Sequence, residues 1–360
     1  MCLHFGFRYC AIAAACAISV SAVAQTSEIV ITGSSAQSKD AVSAPVERLS
    51  GDALLVRPST SLGEQLSGLA GICSSYFGGA ASRPIIRGLD GDRVRIVSNG
   101  AALSDASSLS FDHAVSDSPL ASERVDIVRG PQSLIYSGFA AGGVVQTLDN
   151  RIAKSALFDA GGGQLGKAQA GVGTGSQERS GAALVETGSD KFALHVDGFA
   201  RKADEVAVPK ALICTQGGIT RSSNRMCNSQ AESRGGAVGG SLFFDGGYLG
   251  LSVQGTAQKY GSVAEDEVGI QMRSARTRFE GVAKNWTWHL VQSDYQHQEL
   301  TAGAVGTTFK NKGLDGKLEW QQGATKLGLG QTRNRFVADG IEAFVPKTFS
   351  QSQALYALQE

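Results

Sequence analysis

The sequence predicts a β-rich protein in two unlike parts: a compact α+β domain, followed by an antiparallel β-barrel of membrane-spanning strands. Three observations carry that prediction. Glycine is abundant and proline scarce, 46 against 7 in 360 residues, where the usual glycine share is about 7%. Many short strands joined by tight turns need such a composition, because glycine takes positive φ without steric cost. A secretory leader opens the chain, and a monotonous two-residue alternation fills its second half.

Composition excludes other classes. With 42% hydrophobic residues, 18% charged and a mean hydropathy of −0.06, the chain is neither a helical membrane protein nor a collagen or coiled coil. Lys plus Arg equals Asp plus Glu at 33 each, so no global field draws nucleic acid.

Residues 1–24 read as the leader. Arg8 precedes the apolar run Cys10 to Ile18, and Ala22-Val23-Ala24 satisfies the small-residue rule for cleavage before Gln25. The run is shorter than the roughly 20 residues a helical span requires. A lipoprotein reading through Cys16 lacks the usual leucine three residues ahead. Cleavage removes Cys2, Cys10 and Cys16 and leaves Cys73, Cys214 and Cys227. An exported chain permits a disulfide between Cys214 and Cys227, with Cys73 expected as a buried thiol.

From Gln25 to about Lys154 the pattern is mixed. A capping hydroxyl precedes a short amphipathic turn in Ser59 to Leu66, and Arg93 to Val97 alternates before the turn pair Asn99-Gly100. From Ser155 onward one device repeats. Phe192, Leu194 and Val196 are apolar while His195 and Asp197 fall on the other face; Leu249, Leu251 and Val253 alternate with Ser252 and Gln254. Turn signals such as Gly188-Ser189-Asp190, Asp245-Gly246-Gly247 and Gln322-Gly323 separate runs of about ten residues, the length of a tilted transmembrane strand. A soluble sandwich alternates too. The leader and the first domain favour the barrel. Tyr248, Tyr260, Trp286, Trp288, Tyr295 and Trp320 stand near strand ends, where interfacial aromatics gather.

Catalytic motifs are weak. Gly161-Gly162-Gly163-Gln164-Leu165-Gly166-Lys167 mimics a phosphate loop, but Ala168 follows where Ser or Thr would hold magnesium, and the flanks read as strand rather than helix. No G-x-S-x-G, H-E-x-x-H or C-x-x-C occurs, so no enzyme and no catalytic cofactor is expected.

Three segments of the first domain resemble the plug of TonB-dependent outer-membrane receptors. Glu28-Ile29-Val30-Ile31-Thr32 looks like the TonB box, Pro84 to Gly88 contains the I-R-G motif with Arg87 and Gly88, and Glu123 to Pro131 with Ala141 to Val145 holds Arg129, Gly130, Pro131, Gly142 and Gly143. Tyr136-Ser137-Gly138-Phe139 and Gln146-Thr147 depart mildly from the common pattern. The resemblance implies a leader over 1–24, the box and linker over 25–39, a plug over 40–154 and the start of a barrel over 155–360. It implies no enzyme but an outer-membrane importer of a scarce nutrient, embedded in outer-membrane lipid, coupled through its box to a TonB-type protein and carrying a small ligand. A short alternating segment that adds to a partner's sheet edge is physically suited to such coupling.

Within that family the zinc-uptake receptors are the most similar. Ser75 to Gly78, Ala81 to Pro84 and Phe111-Asp112-His113-Ala114 resemble their plug, and Ser293 to Glu299 resembles one of their barrel segments. The resemblance implies Asp112, His113 and Glu299 as metal ligands and the zinc ion as cargo. On independent grounds, zinc takes imidazole and carboxylate donors, and His297 and Glu299 at i and i+2 on a strand share a face. A histidine-rich insertion of some relatives is missing after Tyr260, although Glu265, Asp266 and Glu267 attract cations. A ferric siderophore, haem or cobalamin are the alternative cargoes. Receptors of this type close about 22 strands, whereas residues 155–360 provide about nine or ten. A plug-bearing fragment that transports nothing is therefore the expectation of another class.

Overall fold

The computed structural model describes residues 46–57, 60–130, 133, 135–136, 140–341, 343 and 345–359. The leader, the box Glu28 to Thr32 and Pro131 lie outside the described residues. Everything below concerns the unit that begins at Gln37.

The first part is built on a five-stranded sheet in the order β1-β6-β7-β4-β5. Its strands are β1 (Val46–Ser50), β4 (Val94–Ser98), β5 (Ala101–Ala102), β6 (Arg124–Val128) and β7 (Gly143–Leu148). The pairing is antiparallel except between β4 and β7. A side hairpin, β2 (Ile72–Ser74) with β3 (Pro84–Ile86), and two short helices, α1 (Asp52–Leu55) and α2 (Leu62–Leu66), complete this part. The helix α2 starts where Ser61 Oγ accepts the Glu64 amide at 3.3 Å, which satisfies one orphan donor of the first turn. Leu62, Leu66, Ile72, Ile86, Val125, Ile127 and Val145 close one apolar core.

The residues that carry the resemblance hold turn and packing positions. Arg87 and Gly88 both have positive φ, +52° and +79°, and lie between Ile86 and Leu89, whose amides and carbonyls exchange bonds at 3.0 and 2.9 Å. This is a two-residue turn of the primed kind, which requires left-handed backbone at both positions. Gly143 has φ +135°, and a Cβ there would sit 2.8 Å from the Val128 carbonyl oxygen. The Arg129 guanidinium reaches Glu47 and the Ala70 carbonyl, each at 3.0 Å, binding β1 to the segment before β2. The Asn99-Gly100 pair makes the β4–β5 turn. Cys73 corrects the expectation of burial: it is exposed, because Ile72 takes the inward side of β2 and its neighbour must point out.

The second part is a ten-stranded antiparallel sheet, open, with β8 and β19 at its edges. Its strands are β8 (Gly163–Gly173), β9 (Glu178–Gly188), β10 (Phe192–Ala203), β13 (Ala231–Phe244), β14 (Gly247–Ser262), β15 (Glu265–Ala283), β16 (Trp286–Thr301), β17 (Ala304–Gln322), β18 (Thr325–Gly340) and β19 (Thr348–Gln359). A separate hairpin, β11 (Ala207–Gln216) with β12 (Ile219–Arg225), stands between β10 and β13. Cys214 of β11 is disulfide-bonded to Cys227. The sheet strands run from 11 to 19 residues, longer than the ten or so read from the alternation. At about 3.3 Å per residue the longest strands outreach a hydrocarbon core of about 30 Å. The excess lies toward the end that carries the β11–β12 hairpin.

Polarity in this sheet is inverted relative to a soluble protein. Leu194, Val196, Val238, Leu251, Val253 and Leu290 are exposed, while Glu186, Ser241, Ser252, Gln258, Arg276 and Glu280 are buried. A sandwich would bury the first set against a second sheet. Here that face is bare, and an apolar patch of this extent marks contact with a partner or a membrane. The Gly163 end of the phosphate-loop lookalike is part of β8 and enters no helix. Trp286 and Trp320 pair across β16 and β17 beside the short turns at Lys284-Asn285 and Gly323-Ala324, as interfacial rings do. Tyr248, Tyr260 and Tyr295 depart from that expectation and are buried inside, since each falls on the same side of its strand as the polar wall.

The two parts are tied by buried charge. Arg151, just after β7, binds Asp197 of β10 through Nε at 2.6 Å and Nη2 at 3.0 Å. Its Nη1 reaches Gln254 at 2.7 Å and Asp149 at 3.2 Å. Asn150 donates to Glu186 at 2.7 Å, and His195 sits between Glu186 and Asp197 at 2.9 and 3.1 Å. Burial opposes the Arg151 charge, but Asp149 and Asp197 overcome it and raise its pKa. Removing one member of such a set strands the others. Arg151→Ala is expected to lower stability by about 3–5 kcal/mol, read as an earlier denaturant midpoint in detergent; a loss below about 1 kcal/mol would show that the network is redundant.

Candidate metal centre

His113 lies in the long loop between β5 and β6, which is knotted by one carboxylate. Asp105 accepts the Ser107 amide and hydroxyl at 3.1 and 2.6 Å, and the Ser116 amide and hydroxyl at 2.9 Å each. The wall then holds the loop: Tyr260 Oη of β14 accepts the Ala114 amide at 2.8 Å, and Gln258 Nε2 donates to the Val115 carbonyl at 3.3 Å. Phe111 stacks on Phe77 with centroids 6.0 Å apart. These contacts aim His113 at β16.

His297 and Glu299 meet it there. The strand period places both inward, and a ligand atom from each of His113, His297 and Glu299 lies within 4.8 Å of the others. The His113 ring is 2%, His297 0% and Glu299 8% exposed. His113 Nε2 is 3.0 Å from Glu299 Oε1, and His297 Nε2 is 3.8 Å from the same oxygen, beyond hydrogen-bond reach. His297 Nε2 and Glu299 Oε2 are buried with no hydrogen-bond partner. Unsatisfied polar atoms at this depth cost stability unless something else occupies them.

Other groups fix the rings. His113 Nδ1 faces the Ala106 carbonyl at 3.3 Å, so an Nδ1–H donates there and Nε2 is left for the cluster. Tyr295 Oη lies 2.8 Å from His297 Nδ1; with that nitrogen protonated, the His297 Nε2 lone pair faces His113 and Glu299. Outer partners of this kind set the tautomer of ligating histidines. Phe309 stacks on His297 with centroids 4.4 Å apart and rings at 19°, and Ala106, Met272, Tyr295 and Phe336 share its apolar cluster.

Asp112 is outside the triad. Its Oδ1 is 3.9 Å from His113 Nε2 and takes the Ser110 hydroxyl, on the more exposed side of the ring. The structure thus joins three of the four residues read from sequence and leaves Asp112 at the rim. Glu265, Asp266 and Glu267 stand elsewhere, and two of them are engaged: Asp266 accepts the Thr215 amide at 2.8 Å and Glu267 the Gly218 amide at 3.1 Å, holding the β11–β12 tip. Phe309 and Ala106 went unread, and Tyr295 was read only as an interfacial ring. Tyr295, two residues before His297 on the same strand face, could have been found from period alone.

Two imidazoles and a carboxylate suit zinc, copper, iron or nickel rather than calcium or magnesium. Three protein donors leave a fourth position open.

Residues 38–144 match the family model of the TonB-dependent Receptor Plug Domain, so this stretch is a plug domain of that type. Solved structures carry the likeness through the sheet. The copper transporter OprC aligns at 15% identity and TM-score 0.59, over 83% of this chain and 48% of that one. The siderophore receptor PirA from Pseudomonas aeruginosa aligns at 16% and 0.58, over 87% and 52%. The Serratia marcescens hemophore receptor HasR, a double mutant in complex with its hemophore HasA and heme, aligns at 14% and 0.65, over 87% and 48%. These neighbours are transporters and receptors, not enzymes, and at such identities the likeness is one of fold. The chain spans about half the length of the structures it matches.

Burial opposes protonation of His113, yet the hydrogen bond it donates to Glu299 and the charges of Asp112 and Glu299 prevail and raise its pKa above 6.5. The charged pair therefore contributes stability in full below the free imidazole range, and that contribution fades as pH rises through the raised value. NMR titration should find His113 above 6.5, and Glu299→Gln should lower it; an unchanged value in that variant would show that Glu299 does not hold the proton.

Proposed function

We propose that the chain is part of a TonB-dependent outer-membrane receptor that imports a scarce transition metal, zinc before others. The observation that carries this reading is the split origin of the buried triad, with His113 from the plug and His297 and Glu299 from the wall. Two of its donor atoms are left without any other partner. Cargo held there bridges the part that must move and the part that stays. The copper transporter among the structural neighbours supports a metal cargo in general, and the imidazole-rich donor set is also compatible with copper, the strongest competitor in the divalent series.

The membrane reading is supported by a geometric detail of the outer face. The line where apolar side chains give way to charged ones is oblique to the rungs of the sheet. It runs from Arg179 on β9, whose rung passes through Lys202, Lys259 and Gln271 to Asp339, down to Arg333 on β18. Six residues of descent, about 20 Å, over seven strand spacings of about 4.8 Å give a slope of roughly 30°. Transmembrane strands tilt by about that much. A flat hydrocarbon boundary crossing tilted strands makes such a line.

Export through the leader and coupling through Glu28 to Thr32 belong to the same proposal. Isothermal titration of the detergent-solubilised chain with zinc should give one site. Its affinity should fall by about 10–100-fold in Tyr295→Phe, the usual cost of losing an orienting partner, and further in His297→Ala. Tighter binding of copper than zinc at matched free-ion buffering, with copper but not zinc rescuing growth, would move the cargo to copper. Radioactive zinc uptake by cells carrying the gene should vanish when residues 28–32 are deleted; unchanged uptake would refute TonB coupling.

A further inference from the structure

Above the oblique boundary basic side chains outnumber acidic ones on the outward face, where Glu232, Glu267, Asp294 and Asp339 are also exposed. Arg234 of β13, Arg273 of β15, Lys310 and Lys312 of β17, and Arg333 and Arg335 of β18 are all exposed. In the same belt toward β9, Arg179, Lys202 and Lys259 are exposed too, with Glu232 the register partner of both lysines. At the opposite end the turns mix signs, with Asp190 and Lys191, then Asp245, then Lys284. Because the whole chain has no net charge, the belt is a local concentration of positive charge.

Within it like charges face each other. Lys312 is the register partner of Arg335, and two register positions away on either side Lys310 faces Val337 and Arg333 faces Leu314. Directly paired side chains have Cβ atoms about 4.5–5.5 Å apart, and like charges there are destabilising. Asp294 relieves little: its carboxylate is 3.6 Å from Lys312 Nζ with both side chains largely exposed. Among the described residues no carboxylate oxygen lies within 4.0 Å of a side-chain nitrogen of Arg273, Lys310, Arg333 or Arg335. Long basic stems can lie along apolar surface and keep their heads at its margin.

We propose that this belt binds the phosphate groups of anionic lipid in the leaflet that meets this end of the sheet. A phosphate carries both the charge that cancels the Lys312–Arg335 repulsion and several acceptors for guanidinium donors. Its place follows from the boundary: the belt begins where the apolar side chains end, at headgroup level. The proposal rests on the membrane-spanning reading of the sheet.

Native mass spectrometry of the full chain in detergent tests it, with lipid A, a diphosphorylated glycolipid, and its dephosphorylated form as probes. The wild-type chain should retain lipid A at least about tenfold more than the dephosphorylated form, and Lys310→Gln/Lys312→Gln/Arg333→Gln/Arg335→Gln should lose that preference. Lys284→Gln, a basic residue at the other end, should keep it. Equal retention of both lipids by the wild type, or preference intact in the fourfold variant, overturns the proposal, and so does retention that inorganic phosphate displaces as readily as lipid A. Insertion into phosphatidylcholine vesicles, read by protease protection, separates the two readings. A chain that inserts but shows no preference refutes only the lipid site, and one that does not insert refutes the membrane-spanning sheet with it.

Discussion

A strand that shows apolar side chains on one face has only the other on which to put its charges. That constraint governs this molecule, because the strands between the edges of the large sheet follow it and the inward face is therefore a wall of carboxylates, guanidinium groups and amides. Buried charge without partners is costly. The first domain supplies the partners: Asn150 and Arg151 for Glu186 and Asp197, Tyr136 under the Lys317 ammonium at 5.8 Å, and His113 for Glu299. The small domain is in this sense the polar interior of the sheet as much as a module of its own.

The same constraint explains why the interior is specific. Apolar contacts tolerate sliding, whereas a guanidinium held at two carboxylate oxygens does not. The loop of residues 103–118 shows it on a local scale. Its backbone is pinned by Asp105 and by Tyr260 and Gln258 of the wall, so the imidazole of His113 arrives where two strand residues already face.

Much of this was legible in the chain. Alternation around Leu194 and Leu251 gave the correct faces, turn pairs such as Asp245-Gly246 fell where hairpins turn, and the positions of Arg87, Gly88 and Gly143 are explained by backbone that side chains rarely adopt. Strand length was not legible, because toward the end that carries the β11–β12 hairpin both faces turn polar and the alternation that marks a strand fades, as along β15 and β17. Tyr248, Tyr260 and Tyr295 were misplaced for a related reason: proximity to a strand end does not fix the side to which a ring points, which depends on register parity. Of the metal-centre residues, the period of β16 paired His297 with Glu299, but nothing local brings His113 to them across 184 residues. Only the resemblance did that. Asp112, its sequence neighbour, takes the Ser110 hydroxyl and stays at the rim, 3.9 Å from His113 Nε2.

The split origin of the triad also has a thermodynamic side. A cation bound by His113 together with His297 and Glu299 is a ligand of the docked arrangement alone, since undocking separates its donors. Mass action then makes docking tighter as the free ion rises, by about 2.7 kcal/mol at a hundred times the dissociation constant. The docked arrangement is then hardest to separate when such an ion is most plentiful, and an empty one is the easier to disturb.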